Sequence, residues 1–176
     1  MNIGRPKMAF DFVKVVSQIE RKSPTISKHL SMGFLSLASP FNSHLKLKML
    51  NWDQRWIQLR LKNHRKVRNH VGSIHAGALF TLGETCAGLL IVRNFSFKEF
   101  RPIMSKISAE FFKQAKSTVT GEAVLESMKV NEIKYGLDRG HEQFIDMQTQ
   151  IKRESGELIA LVNTTWQIKS WDKVRT

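Results

Sequence analysis

Asn69-His70-Val71-Gly72-Ser73-Ile74-His75-Ala76-Gly77-Ala78-Leu79-Phe80-Thr81-Leu82-Gly83-Glu84 decides how the rest of the chain is read. A polar, Gly-containing loop runs into a segment that stays apolar to about Val92. Between His75 and Val92 the polar side chains are few: His75, Thr81, Glu84 and Thr85. A surface helix shows an apolar stripe with charge opposite it. Here Leu79, Phe80, Leu82, Cys86, Leu89, Leu90, Ile91 and Val92 point in nearly every direction, so the segment predicts a buried helix. At roughly 18 residues it approaches a bilayer span. Glu84 near its middle, Gly77, Gly83 and Gly88, and strand-like flanks argue for a core helix instead.

Outward from the helix the period changes to two. Leu45, Leu47 and Met49 alternate with Lys46 and Lys48, and Ile57, Leu59 and Leu61 with Gln58, Arg60 and Lys62. With Asn51-Trp52-Asp53-Gln54 as the turn, this predicts a hairpin with one wet face. After the helix, four runs alternate: Ile103 to Phe111, Val119 to Leu125, Ile145 to Ile151 and Leu158 to Ile168. Glu154-Ser155-Gly156-Glu157 reads as a tight hairpin turn. Tyr135-Gly136-Leu137-Asp138-Arg139-Gly140 reads as a longer loop. Upstream, Phe10–Lys22 and a segment from Thr25 to Leu37 read as helices, with Thr25 as N-cap of the second. The stripe Ile26, Leu30, Phe34 and Leu37 is expected to pack against the sheet edge, with a lid, a wall of the acyl pocket or a membrane-surface anchor as functional alternatives. The expected fold is α+β, an antiparallel curved sheet wrapped around a long central helix. The whole chain, 1–176, forms a single domain, with 1–44 as a helical extension and 45–169 as the core.

The motif residues resemble the hotdog-fold thioesterases, and within them the phenylacetate-pathway branch. That branch carries Asn, then His-Gly-Gly six residues on, then an acid nine residues after the His. Asn69, His75 and Glu84 keep both spacings; Ala76 stands where the first Gly would be, and Gly77 keeps the second. The likeness is strongest to thioesterase-like members that read His-Ala-Gly-Ala-Leu. It implies acyl-coenzyme A as substrate and composite sites at a dimer interface, in a homodimer or a dimer of dimers.

Thioester hydrolysis requires a polarised carbonyl and an activated water or carboxylate nucleophile. A helix N-terminus offers unpaired N–H groups and a positive dipole end, so the N–H groups of Ala76 and Gly77 are the candidate oxyanion donors. Glu84, in apolar surroundings that raise a carboxyl pKa, is the candidate general base or nucleophile. His75 and Asn69 are candidates for positioning water or carbonyl, and Thr85 for binding water. His64, Arg65, Lys66 and Arg68 are candidates for the coenzyme A phosphates. Nine helical residues separate His75 from Glu84 by about 13 Å and half a turn, so one helix cannot aim both at one carbonyl. Two antiparallel copies can, and the site hypothesis therefore entails a dimer.

Composition narrows the alternatives. With 41% hydrophobic and 24% charged residues the chain is of globular type. Its single cysteine, Cys86, lies within the apolar helix, which points to a reducing cytoplasmic setting and gives no disulfide. The six histidines lack paired metal-ligand spacing, and neither metal nor cofactor is expected beyond the coenzyme A part of the substrate. The start lacks the features of a secretion signal, and neither N-terminal helix is long enough to span a membrane. Net charge is +13, concentrated in residues 1–62, where eleven Lys/Arg face three acids. Such a balance attracts polyanions. Nucleic-acid binding is the weaker reading, because the cations are scattered and no binding motif accompanies them. A non-catalytic acyl-coenzyme A binder is the main alternative to a hydrolase.

Overall fold

The structure is a computed structural model and describes residues 18–174. Of the Phe10–Lys22 helix, only residues 18–22 lie among these, and they are helical. In order follow helix α1 (Pro24–Ala38), a 3-10 turn (Pro40–Leu45), β1 (Lys48–Trp52), β2 (Trp56–Leu61) and helix α2 (Ala76–Asn94). Then come β3 (Phe100–Phe111), β4 (Val119–Val124), helix α3 (Ser127–Asp138), β5 (Gln143–Arg153) and β6 (Leu158–Ser170). The strands form one six-stranded sheet in the order β1-β2-β4-β5-β6-β3, every pairing antiparallel. The sheet packs on α2 in the hotdog arrangement.

Period-two alternation puts the apolar set on one face. Ile57, Leu59, Leu61, Val119, Ala123, Ile145, Ile151, Ala160 and Val162 are all buried, and they meet Leu79, Leu82, Cys86 and Leu90 of α2. Polar links cross this dry layer where Thr149 Oγ1 donates to Gly83 O at 2.9 Å and Trp52 Nε1 to Leu89 O at 3.3 Å.

Helix and sheet approach so closely that glycines are required. A Cβ on Gly83 would lie 2.4 Å from Val162 Cβ, and one on Gly121 would lie 3.0 Å from Cys86 Sγ. Gly83→Ala is therefore expected to cost about 3 kcal/mol, since the contact is with a β-branched side chain in a close-packed layer. Adding Val162→Ala should recover much of the loss, because it removes the clashing methyls; paired urea titrations give the coupling.

Several expectations change. β1 begins at Lys48 rather than Leu45, and Trp52 belongs to the strand. The turn is then built on Asp53, whose Oδ1 accepts from Arg55 N and Trp56 N at 2.7 and 2.8 Å. In β3 a bulge between Met104 and Lys106 shifts the phase, so Ile103 does not share a face with Ile107, Ala109 and Phe111. Tyr135–Gly140 is not an open loop: residues to Asp138 are the end of α3, which buries Val130, Ile133 and Leu137. The N-cap of α1 is Ser23, with proline in the first turn, rather than Thr25. The stripe on α1 does not pack inward. Ile26, Leu30 and Leu37 are exposed, while Ser27 and Ser31 are buried.

Candidate active site

The N-terminus of α2 is set by its own sequence. His75 is the N-cap, with extended backbone at φ −62°, ψ 140°, and its Nδ1 accepts from Gly77 N at 3.0 Å. That places the proton of a neutral ring on Nε2, directed away from the helix end. Ala78 N and Leu79 N both donate to His75 O. Ala76 N–H is thus the first-turn donor with no hydrogen bond to any described residue. Of the two predicted oxyanion donors, Gly77 N–H is engaged within the chain and Ala76 N–H is open.

The loop that feeds this end is pinned on several sides. Asn69 Oδ1 accepts from Val71 N and Ser73 N at 3.1 and 3.0 Å, closing an Asx turn. Ile74 N donates to Ala115 O at 2.9 Å and His75 N to Val67 O at 2.7 Å. Asn69 and Ala76 line the same open cleft of about 320 Å³, together with Leu79, Phe111, Phe112 and Lys113. Phe111 and Phe112 form the aromatic wall of this cleft. Met147 lies buried elsewhere in the core.

Glu84 sits two turns further along. α2 is not buried all round: Phe80, Glu84, Gly88 and Val92 form a half-exposed stripe at four-residue spacing, starting from exposed Ala76. The reason is that the sheet covers only the opposite faces of the helix. Burial among these residues pushes the Glu84 carboxyl above its ordinary value. It forms no hydrogen bond or ion pair with any described residue. Glu84 is therefore not, within the described residues of the single chain, a structural acid held by a basic partner.

A raised native pKa has a definite sign in stability. Folding favours the protonated carboxyl, so the contribution of Glu84 to stability is greatest in acid and falls as pH rises from the ordinary carboxylate value through the raised one. Glu84→Gln is expected to be more stable than wild type at neutral pH. The gain should vanish below about pH 4, where both side chains are neutral. Thermal unfolding of the two proteins from pH 3 to pH 8 checks this.

The remaining candidates divide. Thr85 Oγ1 is buried, donates to Thr81 O at 2.7 Å and receives Asn42 Nδ2 at 3.4 Å. Arg68 is tied to Asn63, its Nε donating to Oδ1 at 2.7 Å. Arg65 and Lys66 are exposed on a 3-10 turn, and His64 Nε2 lies 3.4 Å from Leu45 O. None of these five lines the cleft. The cation that does is Lys113, paired with Glu157, which is held below the usual carboxylate range chiefly by that hydrogen bond. Lys113 and Asn42 are absent from the predicted set. Lys113 follows Phe111-Phe112 at the end of a strand, a position that flags it; Asn42 meets Thr85 across 43 positions of sequence and has no local signal. Burial raises the Cys86 thiol, which removes it as a nucleophile at neutral pH. Among the described residues no group of three or more His, Cys, Asp or Glu is placed to hold a metal ion.

Solved structures share this architecture. A Pseudomonas aeruginosa protein of unknown function, called a probable thioesterase, superposes with a TM-score of 0.74 at 26% identity, over 81% of this chain and 95% of its own. A Haemophilus influenzae thioesterase gives 0.64 at 18% identity, over 81% and 92%. A mutant Staphylococcus aureus thioesterase gives 0.62 at 21% identity, over 74% and 99%. No curated protein matches the sequence. Residues 27–168 match the domain of unknown function DUF4442. With most of its length inside that match, the chain belongs to the DUF4442 family and carries the hotdog fold.

Proposed function

We propose that the chain is a thioester hydrolase acting on acyl-coenzyme A, with Glu84 as its general base. The observation that carries this reading is an unpaired carboxylate in the apolar stripe of α2, on the same helix as an unused N–H donor at an open cleft. The thioesterase names of the similar structures and the phenylacetate-branch spacing of Asn69, His75 and Glu84 support it.

The reaction needs two copies. Glu84 of one subunit faces the α2 N-terminus of the other, in a homodimer or a dimer of dimers. β3, twelve residues long and paired only with β6, leaves an open sheet edge beside the half-exposed stripe, which a second copy would cover. Glu84 takes a proton from water as the oxygen attacks the thioester carbon. Ala76 N–H holds the developing oxyanion. Collapse of the tetrahedral species expels the thiolate, which recovers the proton from Glu84. Water as nucleophile suits a base whose pKa is raised toward neutrality; direct attack by Glu84 is the second form of the same chemistry. Asn69, which lines the cleft with its Oδ1 engaged, offers its amide Nδ2 as a donor, and His75 offers Nε2–H. Arg65, Lys66 and Lys113 receive the coenzyme A phosphates.

Thiol release from short, long and aromatic acyl-coenzyme A esters tests the reading. Turnover on at least one class is the expected result. Saturable binding by the folded protein with no thiol release on any ester assigns it instead as a binder.

A further inference from the structure

We propose that the outward face of α1, continued by Phe41, docks on an anionic lipid membrane. Met32 and Leu35 of the helix pack on the core, while a second apolar row is turned outward. Ser27 and Ser31 point inward, only 2% and 1% exposed, with Ser31 Oγ donating to Ser27 O at 2.7 Å. Lys28 Nζ donates to Leu50 O and ties this side to the sheet. Four large apolar side chains of the helix and the turn after it face solvent: Ile26 is 55% exposed, Leu30 48%, Leu37 83% and Phe41 68%. At about 100° per residue, Ile26, Leu30 and Leu37 fall within about 40° of one another. Single exposed leucines are ordinary, but a row of four large apolar side chains over about three helical turns and a 3-10 segment marks an interaction face.

Charge selects the occupant. From Arg21 to Trp52 there is no acidic residue, while Arg21, Lys22, Lys28, Lys46 and Lys48 are cationic. Arg21, Lys22, Lys46 and Lys48 are exposed. A second copy of the chain would bring the same positive field to the face, at a net +13 per chain. Nucleic acid matches the charge and leaves the apolar row uncovered. An anionic bilayer surface accepts both: the leucines enter the headgroup boundary and the flanking cations meet the phosphates. The proposal is independent of the chemistry at Glu84.

The full chain is sedimented with phosphatidylcholine vesicles, with and without phosphatidylserine. Binding to the anionic vesicles, weakened by added salt, is expected, with little binding to the neutral ones. Leu30→Glu/Leu37→Glu should weaken it about tenfold or more, since it removes buried apolar area and adds repulsion. Leu37→Glu alone, at a side chain 83% exposed, gives the same direction should the double variant fail to fold. Met128→Glu, equally exposed on α3, should leave binding unchanged. The proposal is overturned by absence of binding to anionic vesicles, or by equal loss in Met128→Glu. It is also overturned by undiminished binding of the folded α1 variants, or by a change in their oligomeric state without vesicle binding. That last result would give the face to a second copy.

Discussion

Ala76→Pro is expected to fold normally and to lose about 100- to 1,000-fold in turnover, the usual cost of one oxyanion donor. Ala76 is the first residue of α2, where proline is favoured because its missing N–H has no intrahelical partner. A proline also requires extended backbone in the residue before it, and His75 already has ψ 140°. The Ala76 N–H makes no hydrogen bond to the described residues, so its deletion breaks nothing in the single chain. Almost any other change at this end would also disturb the His75 cap or the Asx turn at Asn69. Steady-state thiol release and a thermal melt on the same preparation separate the two effects: activity should collapse while the melting temperature holds.

Glu84→Gln is expected to lower kcat about 100-fold or more with the fold retained. The substitution keeps the shape of the side chain and removes only its ability to accept a proton. It should also stabilise the protein at neutral pH, as its raised pKa requires. A loss of activity joined to a gain in stability is the signature of a carboxylate kept for function, and it distinguishes the base from a structural acid. In wild type, kcat should rise with pH through the raised pKa of Glu84, since the deprotonated form is the active one. That rise should be absent from the residual activity of the variant.

Much of this fold is written locally in the sequence. The central helix announces itself because Ala78 to Ile91 has no polar face, and the strands because Ile57-Leu59-Leu61 and Ile145-Met147-Thr149-Ile151 alternate cleanly. α3 is harder. Val130, Ile133 and Leu137 keep a helical spacing, but Gly136 and Asp138-Arg139-Gly140 carry a stronger turn signal. The bulge in β3 leaves no mark, because Met104, Ser105 and Lys106 are compatible with either phase. On α1 the periodicity shows the stripe itself and cannot show what lies opposite it. The helix packs through Ser27, Ser31, Met32 and Leu35 and leaves Leu37 to solvent.

The candidate site divides along the same line. Glu84 is conspicuous as a lone acid in an apolar run, and His75 and Asn69 are marked by their spacing to it. What depends on a side-chain rotamer is invisible in the sequence. Nothing in His75-Ala76-Gly77 says that the imidazole takes the Gly77 N–H and leaves that of Ala76. Nor does the basic run at 64–68 say that Arg68 is bound to Asn63 while Lys113 stands at the cleft.

The most direct measurement is complementation between two inactive chains, Ala76→Pro and Glu84→Gln, co-expressed and assayed as mixed dimers. In a mixed dimer one site joins the intact Glu84 of the first chain to the intact helix N-terminus of the second, and the other site has neither. Random pairing makes about half of the dimers mixed, so about a quarter of wild-type thiol release should return. Recovery no greater than the sum of the two variants alone, in dimers shown to be mixed, would contradict a site shared between two copies of α2.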